Sequence, residues 1–257
     1  MRSPTTAHAA IQTTFTAPIG FVQPLTNISR LASGYDHTCV LTTSGAVKCW
    51  GANWTGQLGD GTTLYRPQAV PAGSLTSGIT AVATGADHTC VVTSDGSVQC
   101  WGGNGDGQLG DGTNSKSYLP VTAVGLAHNV TAVATGAYHT CALAAGSVFC
   151  WGDNQFGQLG DGTQVDHAIP ASVSGLPSDV TALIAGDYHT CARLTGGSIR
   201  CWGRNDLGQL GNDTQTIQPR PVPVNTLSSS VTAFAAGQNH TCAILTTGGL
   251  FCWGANS

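Results

Sequence analysis

Three residue types recur at fixed spacing in this 257-residue chain, and each could do chemistry. The triplet His-Thr-Cys begins at His37, His88, His139, His189 and His240, and Cys-Trp-Gly begins at Cys49, Cys100, Cys150, Cys201 and Cys252. A histidine and two cysteines could hold zinc, because residues i and i+2 of a strand face the same way and such a trio is a partial tetrahedral set. No Cys-x-x-Cys occurs and no fourth ligand recurs. Pairing Cys39 with Cys49 instead sets Leu41 opposite Val47 around a loop of Thr43, Ser44 and Gly45. The third unit is one residue shorter, yet Cys141 still falls opposite Cys150 around an Ala145-Gly146 turn. Opposed residues on antiparallel strands have Cα atoms ~4.5–5.5 Å apart, which a disulfide can span. The expectation is therefore five bridges, Cys39–Cys49, Cys90–Cys100, Cys141–Cys150, Cys191–Cys201 and Cys242–Cys252, with no metal and no cofactor. Zinc ligation and reduced core thiols are the alternatives.

The histidines also invite a catalytic reading, since Asp36 and Asp87 precede two of them. A residue present in every unit, however, serves a packing need common to every unit. There is no Gly-x-Ser-x-Gly elbow, no Gly-x-x-x-x-Gly-Lys phosphate loop and no glutamate anywhere in the chain. No catalytic residue is assigned, and the chain is expected not to be an enzyme. Asp-Gly-Thr at Asp60, Asp111 and Asp161, with Asn104 to Gly107, faintly suggests calcium, but Asp-Gly is a common turn pair and the closing glutamate of a calcium loop is missing.

The elements that must position these residues follow from the period. The His-Thr-Cys copies stand 51, 51, 50 and 51 residues apart, so five units account for nearly the whole chain. The expected division is an extension over 1–11, then repeats over 12–62, 63–113, 114–163, 164–214 and an incomplete 215–257. In the third unit, short apolar or alternating runs at Pro120 to Val124, Val130 to Ala134, His139 to Leu143 and Ser147 to Trp151 are each bounded by turn residues. Four short strands per unit of this length match the blade of a β-propeller, and blades cover faces that one sheet would leave open. The run from Thr131 to Gly136 is small enough for the crowded axis. Glutamate is absent and lysine occurs twice, so the straight-chain helix formers are scarce. The fold class is all-β, a single propeller domain of five four-stranded blades.

The unit read from Gly34 to Thr62, with Trp-Gly-x-Asn-x-x-Gly-Gln-Leu-Gly recurring at Trp50, Trp101, Trp151 and Trp202, resembles the repeat of the regulator of chromosome condensation family, especially its secreted bacterial relatives. The resemblance covers about residues 12–257 and implies a propeller, seven-bladed in familiar members. Pro18 stands sixteen residues before Gly34, as Pro120 stands before Gly136, so the N-terminal segment is expected to supply the strand that completes the last blade. Pairing of that segment with a neighbouring molecule would give an open, strand-exchanged assembly instead.

Charge narrows the partners. Nine Lys and Arg against thirteen Asp, net −4, offer no basic stripe for nucleic acid, and no apolar run reaches the ~20 residues that span a bilayer. If repeated residues hold the scaffold, binding falls to the turns where repeats differ. The candidate face is Tyr35, Asp36, Trp54, Asp87, Asp106, Tyr138, Phe156, Asp187, Tyr188 and Leu207. Possible glycosylation sites are Asn27, Asn53, Asn129, Asn212 and Asn239, each in Asn-x-Ser/Thr. Ten cysteines suit an oxidising compartment, so the expected setting is extracellular or at the cell surface, although the start of the chain carries no export signal. The expected function is a non-catalytic module that binds a protein partner. Self-association into an extracellular filament is one alternative. The resemblance implies two further roles, protein inhibition and nucleotide exchange on a small GTPase.

Overall fold

The structure is a computed structural model describing residues 24–225, 227 and 230–256. It is all-β, five antiparallel sheets arranged as the blades of a propeller. Blade 1 runs from the axis outward as β1 (Ile28–Ser33), β2 (His37–Thr42), β3 (Val47–Gly51) and β4 (Arg66–Pro71), and the next three sheets repeat that order. The blades are thus offset by one strand from the sequence units. Blade 5 shows three strands, Val231–Ala236, His240–Leu245 and Leu250–Gly254. The strand expected to complete it, over about residues 12–24, lies outside the described residues except for Pro24.

The register within each blade is anchored by the cysteines. Cys39 pairs with Cys49 across β2 and β3, and Cys141 with Cys150 in the shorter third unit. That unit keeps register with a two-residue turn in which Ala145 and Gly146 both take positive φ, 48° and 80°. Disulfides join Cys39–Cys49, Cys90–Cys100, Cys141–Cys150, Cys191–Cys201 and Cys242–Cys252, each with Cα atoms 4.1 Å apart.

The core lies between blades rather than within them. Cys39, Leu41, Val47, Cys49, Leu58 and Ala72 of blade 1 pack against Ile79, Val91 and Trp101 of blade 2. The same joint is tied by one polar knot. His37 Nε2 meets Thr89 Oγ1 at 2.9 Å, Thr89 Oγ1 donates to the Gln57 carbonyl at 2.8 Å, and Trp101 Nε1 donates to the same carbonyl at 2.9 Å. The knot recurs at Thr140 and Gln108, at Thr190 and Gln158, and at Thr241 and Gln209. These contacts explain the motif. A Cβ on Gly34 would lie 2.6 Å from the His37 ring, and one on Gly59 would lie 2.7 Å from Trp101 Nε1.

Candidate recognition face

Antiparallel order puts the first and third turns of every blade at the same end of the propeller, so the two sets of variable residues share one face. Backbone bonds fix them together: Ala52 N donates to the Asp36 carbonyl at 2.8 Å, and Asp153 N to that of Tyr138 at 2.9 Å. Within the longer turn, Asn53 closes the loop, its Nδ2 donating to Asp60 Oδ1 and its Oδ1 accepting from Leu58 N, both at 3.0 Å. Asn104, Asn154 and Asn205 do the same. Asp60 Oδ1 also accepts from the Thr62 backbone and hydroxyl, and Oδ2 from Arg66 Nε at 2.7 Å, so the carboxylate is engaged by protein donors. Among the described residues no cluster of His, Cys or Asp has the arrangement of a metal site.

Near the axis the face gathers aromatic rings among carboxylates. Phe156 meets Tyr188 edge-on, centroids 5.2 Å apart, and Tyr138 lies 6.4 Å from Tyr188. The Arg204 guanidinium stands 5.2 Å from the Phe156 ring centroid and 5.9 Å from that of Tyr188, while pairing with Asp206 at 2.6 Å. Tyr35 of blade 1 donates its hydroxyl across the axis to Asp187 of blade 4. These two residues line a cavity of about 180 Å³ to which each of the five blades contributes the glycine that follows its inner strand, Gly34, Gly85, Gly136, Gly186 and Gly237.

The electrostatics of this end are negative. Burial raises the carboxyl of Asp87, and burial together with the charges of Asp153, Asp166 and Asp87 raises that of Asp106. The Tyr138 hydroxyl is pushed up by burial and by Asp87, Asp106, Asp187 and Asp153 around it. Asp153 is held buried by Gln158 Nε2 at 2.8 Å, and Asp166 accepts from Asn154 N at 2.7 Å.

Seven of the ten turn residues singled out in the sequence, Tyr35, Asp87, Asp106, Tyr138, Phe156, Asp187 and Tyr188, join this cluster. Asp36, Trp54 and Leu207 occupy the same end outside it, all three exposed. Sequence reasoning passed over Asp153 and Arg204. Their signal was available, because the x of Trp-Gly-x-Asn reads Ala52, Gly103, Asp153, Arg204 and Ala255, a third variable position. Of the five sequon asparagines, Asn27 and Asn129 are exposed, Asn212 and Asn239 are half-buried, and Asn53 is buried with its amide engaged.

Comparison with known proteins accounts for the repeat. The ultraviolet-B receptor UVR8 of Arabidopsis thaliana is 35% identical over 234 residues, 88% of this chain and 53% of its own length. The mitochondrial RCC1 domain-containing protein RUG3 of the same plant is 32% identical over 238 residues, 88% of this chain and 42% of its own length. The chain therefore spans about half the length of these relatives. Among solved structures, human WBSCR16 superposes with a TM-score of 0.79 at 26% identity, over 89% of this chain and 62% of that one. Prp20p of Saccharomyces cerevisiae gives 0.73 at 21% identity, over 82% of this chain and 54% of that one, which shows the fold. The family model of the RCC1-like domain matches residues 6–257, and the chain belongs to that family.

Proposed function

We propose that this propeller is a non-catalytic recognition module of an extracellular or cell-surface setting, and that its acidic, aromatic face binds a protein segment rich in Arg and Lys. The carrying observation is the assembly of Tyr35, Tyr138, Phe156 and Tyr188 among Asp87, Asp106, Asp153 and Asp187 by turns that the scaffold leaves free to vary. Aromatic residues dominate interface energetics, and their ring faces attract cations. Arg204 already lies over two of these rings and serves as an internal example of that chemistry. The five disulfides support an oxidising setting. Yeast Prp20p, which shares the fold, is described with its binding to Gsp1p and histones and has also been solved with Kap60 bound. An exchange-factor role draws only on that likeness, which at 21% identity carries the fold alone.

Selection of a random displayed peptide library on the purified chain tests the reading. Enriched peptides carry Arg and Lys, and their binding falls with added salt. Enrichment of neutral or acidic peptides sinks it.

A second reading, self-assembly by strand exchange, draws on blade 5, where the strand Leu250–Gly254 has no outer neighbour among the described residues and Leu250 and Phe251 are exposed. Deleting residues 1–22 separates the two. In a strand-exchanged polymer the deletion abolishes fibres and leaves soluble units, and in a monomer it lowers stability without changing mass.

A further inference from the structure

The x position of Trp-Gly-x-Asn holds alanine, glycine or aspartate in four blades and arginine only in blade 4. Arg204 does not extend into solvent there. Its backbone N donates to the Tyr188 carbonyl at 2.9 Å, which starts the side chain beside that ring. The guanidinium lies between two aromatic neighbours, 5.9 Å from the Tyr188 centroid and 5.2 Å from that of Phe156, a residue of the preceding blade. Nη2 pairs with Asp206 Oδ2 at 2.6 Å, and the side chain is 27% exposed. Nε is buried and has no hydrogen-bond partner among the described residues. An arginine that fills a site well engages a carboxylate through two donors and leaves no buried N–H unpaired, so this seat satisfies Arg204 only in part. At the preceding joint Asp106, Tyr138 and Asp153 stand at the repeat positions of Phe156, Tyr188 and Arg204. No cation lies over the Tyr138 ring among the described residues.

We propose that Phe156, Tyr188 and Asp206 form a subsite for an arginine side chain of the partner, and that Arg204 fills it in the free chain as a built-in competitor. The inference rests on the recognition role of this face and narrows its ligand from cations in general to a guanidinium at the joint of blades 3 and 4. Ring faces and a carboxylate are the groups that hold a guanidinium, and here they hold one. An ammonium is compact and strongly hydrated, so it gains less than a planar guanidinium from two rings. A partner segment therefore meets one uncovered ring, Tyr138, and one pair of rings already taken. Arg204 must leave before the second subsite opens, which lowers affinity and mutes the preference for arginine over lysine. The site is built wholly from blades 3 and 4.

The experiment measures binding of labelled hexa-arginine and hexa-lysine peptides to wild type and to Arg204→Ala at one ionic strength. Alanine is native to this position of the scaffold, since Ala52 occupies it buried in blade 1, and a thermal melt checks that the variant is folded. Loss of one positive charge strengthens both peptides alike, so the ratio of the two affinities is the readout. The expected result is that Arg204→Ala raises the preference for hexa-arginine over hexa-lysine by about fivefold or more. Adding Phe156→Ala to Arg204→Ala returns the ratio to the wild-type value. Arg204→Lys, which keeps the charge and loses the planar group, gives a ratio between those of wild type and Arg204→Ala. An unchanged or lower ratio in folded Arg204→Ala overturns the proposal while leaving the recognition reading in place, and so does a raised ratio that survives the added Phe156→Ala. Failure of both peptides to bind either form overturns the recognition reading and this inference with it.

Discussion

The hydroxyl of Thr140 has one hydrogen, and the Gln108 carbonyl takes it at 2.9 Å. His88 Nε2, 3.0 Å away, must then be the donor, which leaves Nδ1 bare, buried and without a partner. Burial holds His37 and His189 down to about 4 and His88 and His139 to about 3. Between those values and the ~6.5 of a free histidine the unfolded chain binds protons that the folded one refuses. Stability is therefore full above about pH 6.5 and falls as pH drops toward 4, at about 1.4 kcal/mol for each tenfold difference in proton affinity at one ring. Urea midpoints measured from pH 7.5 to 4 should decline over that window, and a flat profile would contradict the neutral state of these buried rings. Repetition in the sequence identified these histidines as structural. Their partners were not legible, because each threonine sits about one repeat further along the chain and spacing within a repeat carries no information about contacts between repeats.

Strand positions and register were readable, because cysteine spacing and the apolar runs agree on both. The third blade shows how far that reaches. Removing one residue from the loop keeps Cys141 opposite Cys150 but forces Ala145 to φ 48°, a left-handed conformation that costs a residue bearing Cβ roughly 1 kcal/mol. Ala145→Gly should accordingly raise stability by about 0.5–1 kcal/mol, and thermal unfolding at neutral pH checks it. The turn network was harder to read. That Asn53, Asn104, Asn154 and Asn205 each close a loop is visible only when Asp60 and its counterparts are seen folded back onto them. The acidic cluster was half legible for the same reason. Asp106 and Asp153 come from different blades, and only the common end shared by first and third turns brings them together.

At the scale of the molecule, stability is a sum of joints between neighbouring blades. Trp101, Trp151 and Trp202 each sit fully buried in such a joint with the indole bonded to the preceding blade, whereas Trp50 is half-buried. Trp151→Ala should cost about 3–5 kcal/mol, and Trp50→Ala distinctly less. Denaturant titration ranks them, and equal losses would mean that blade 1 is packed as tightly as its neighbours. The repeated residues thus hold the ring and the variable turns present a surface. The most direct test of that division is the affinity of one Arg-rich peptide from the selection for three forms of the chain: wild type, Tyr188→Ala on the recognition face and Ser44→Ala at the opposite end. The account predicts that Tyr188→Ala weakens binding by about 2 kcal/mol, roughly 30-fold in Kd, while Ser44→Ala leaves it unchanged. Unaltered affinity in a folded Tyr188→Ala protein, or an equal loss in Ser44→Ala, would contradict it.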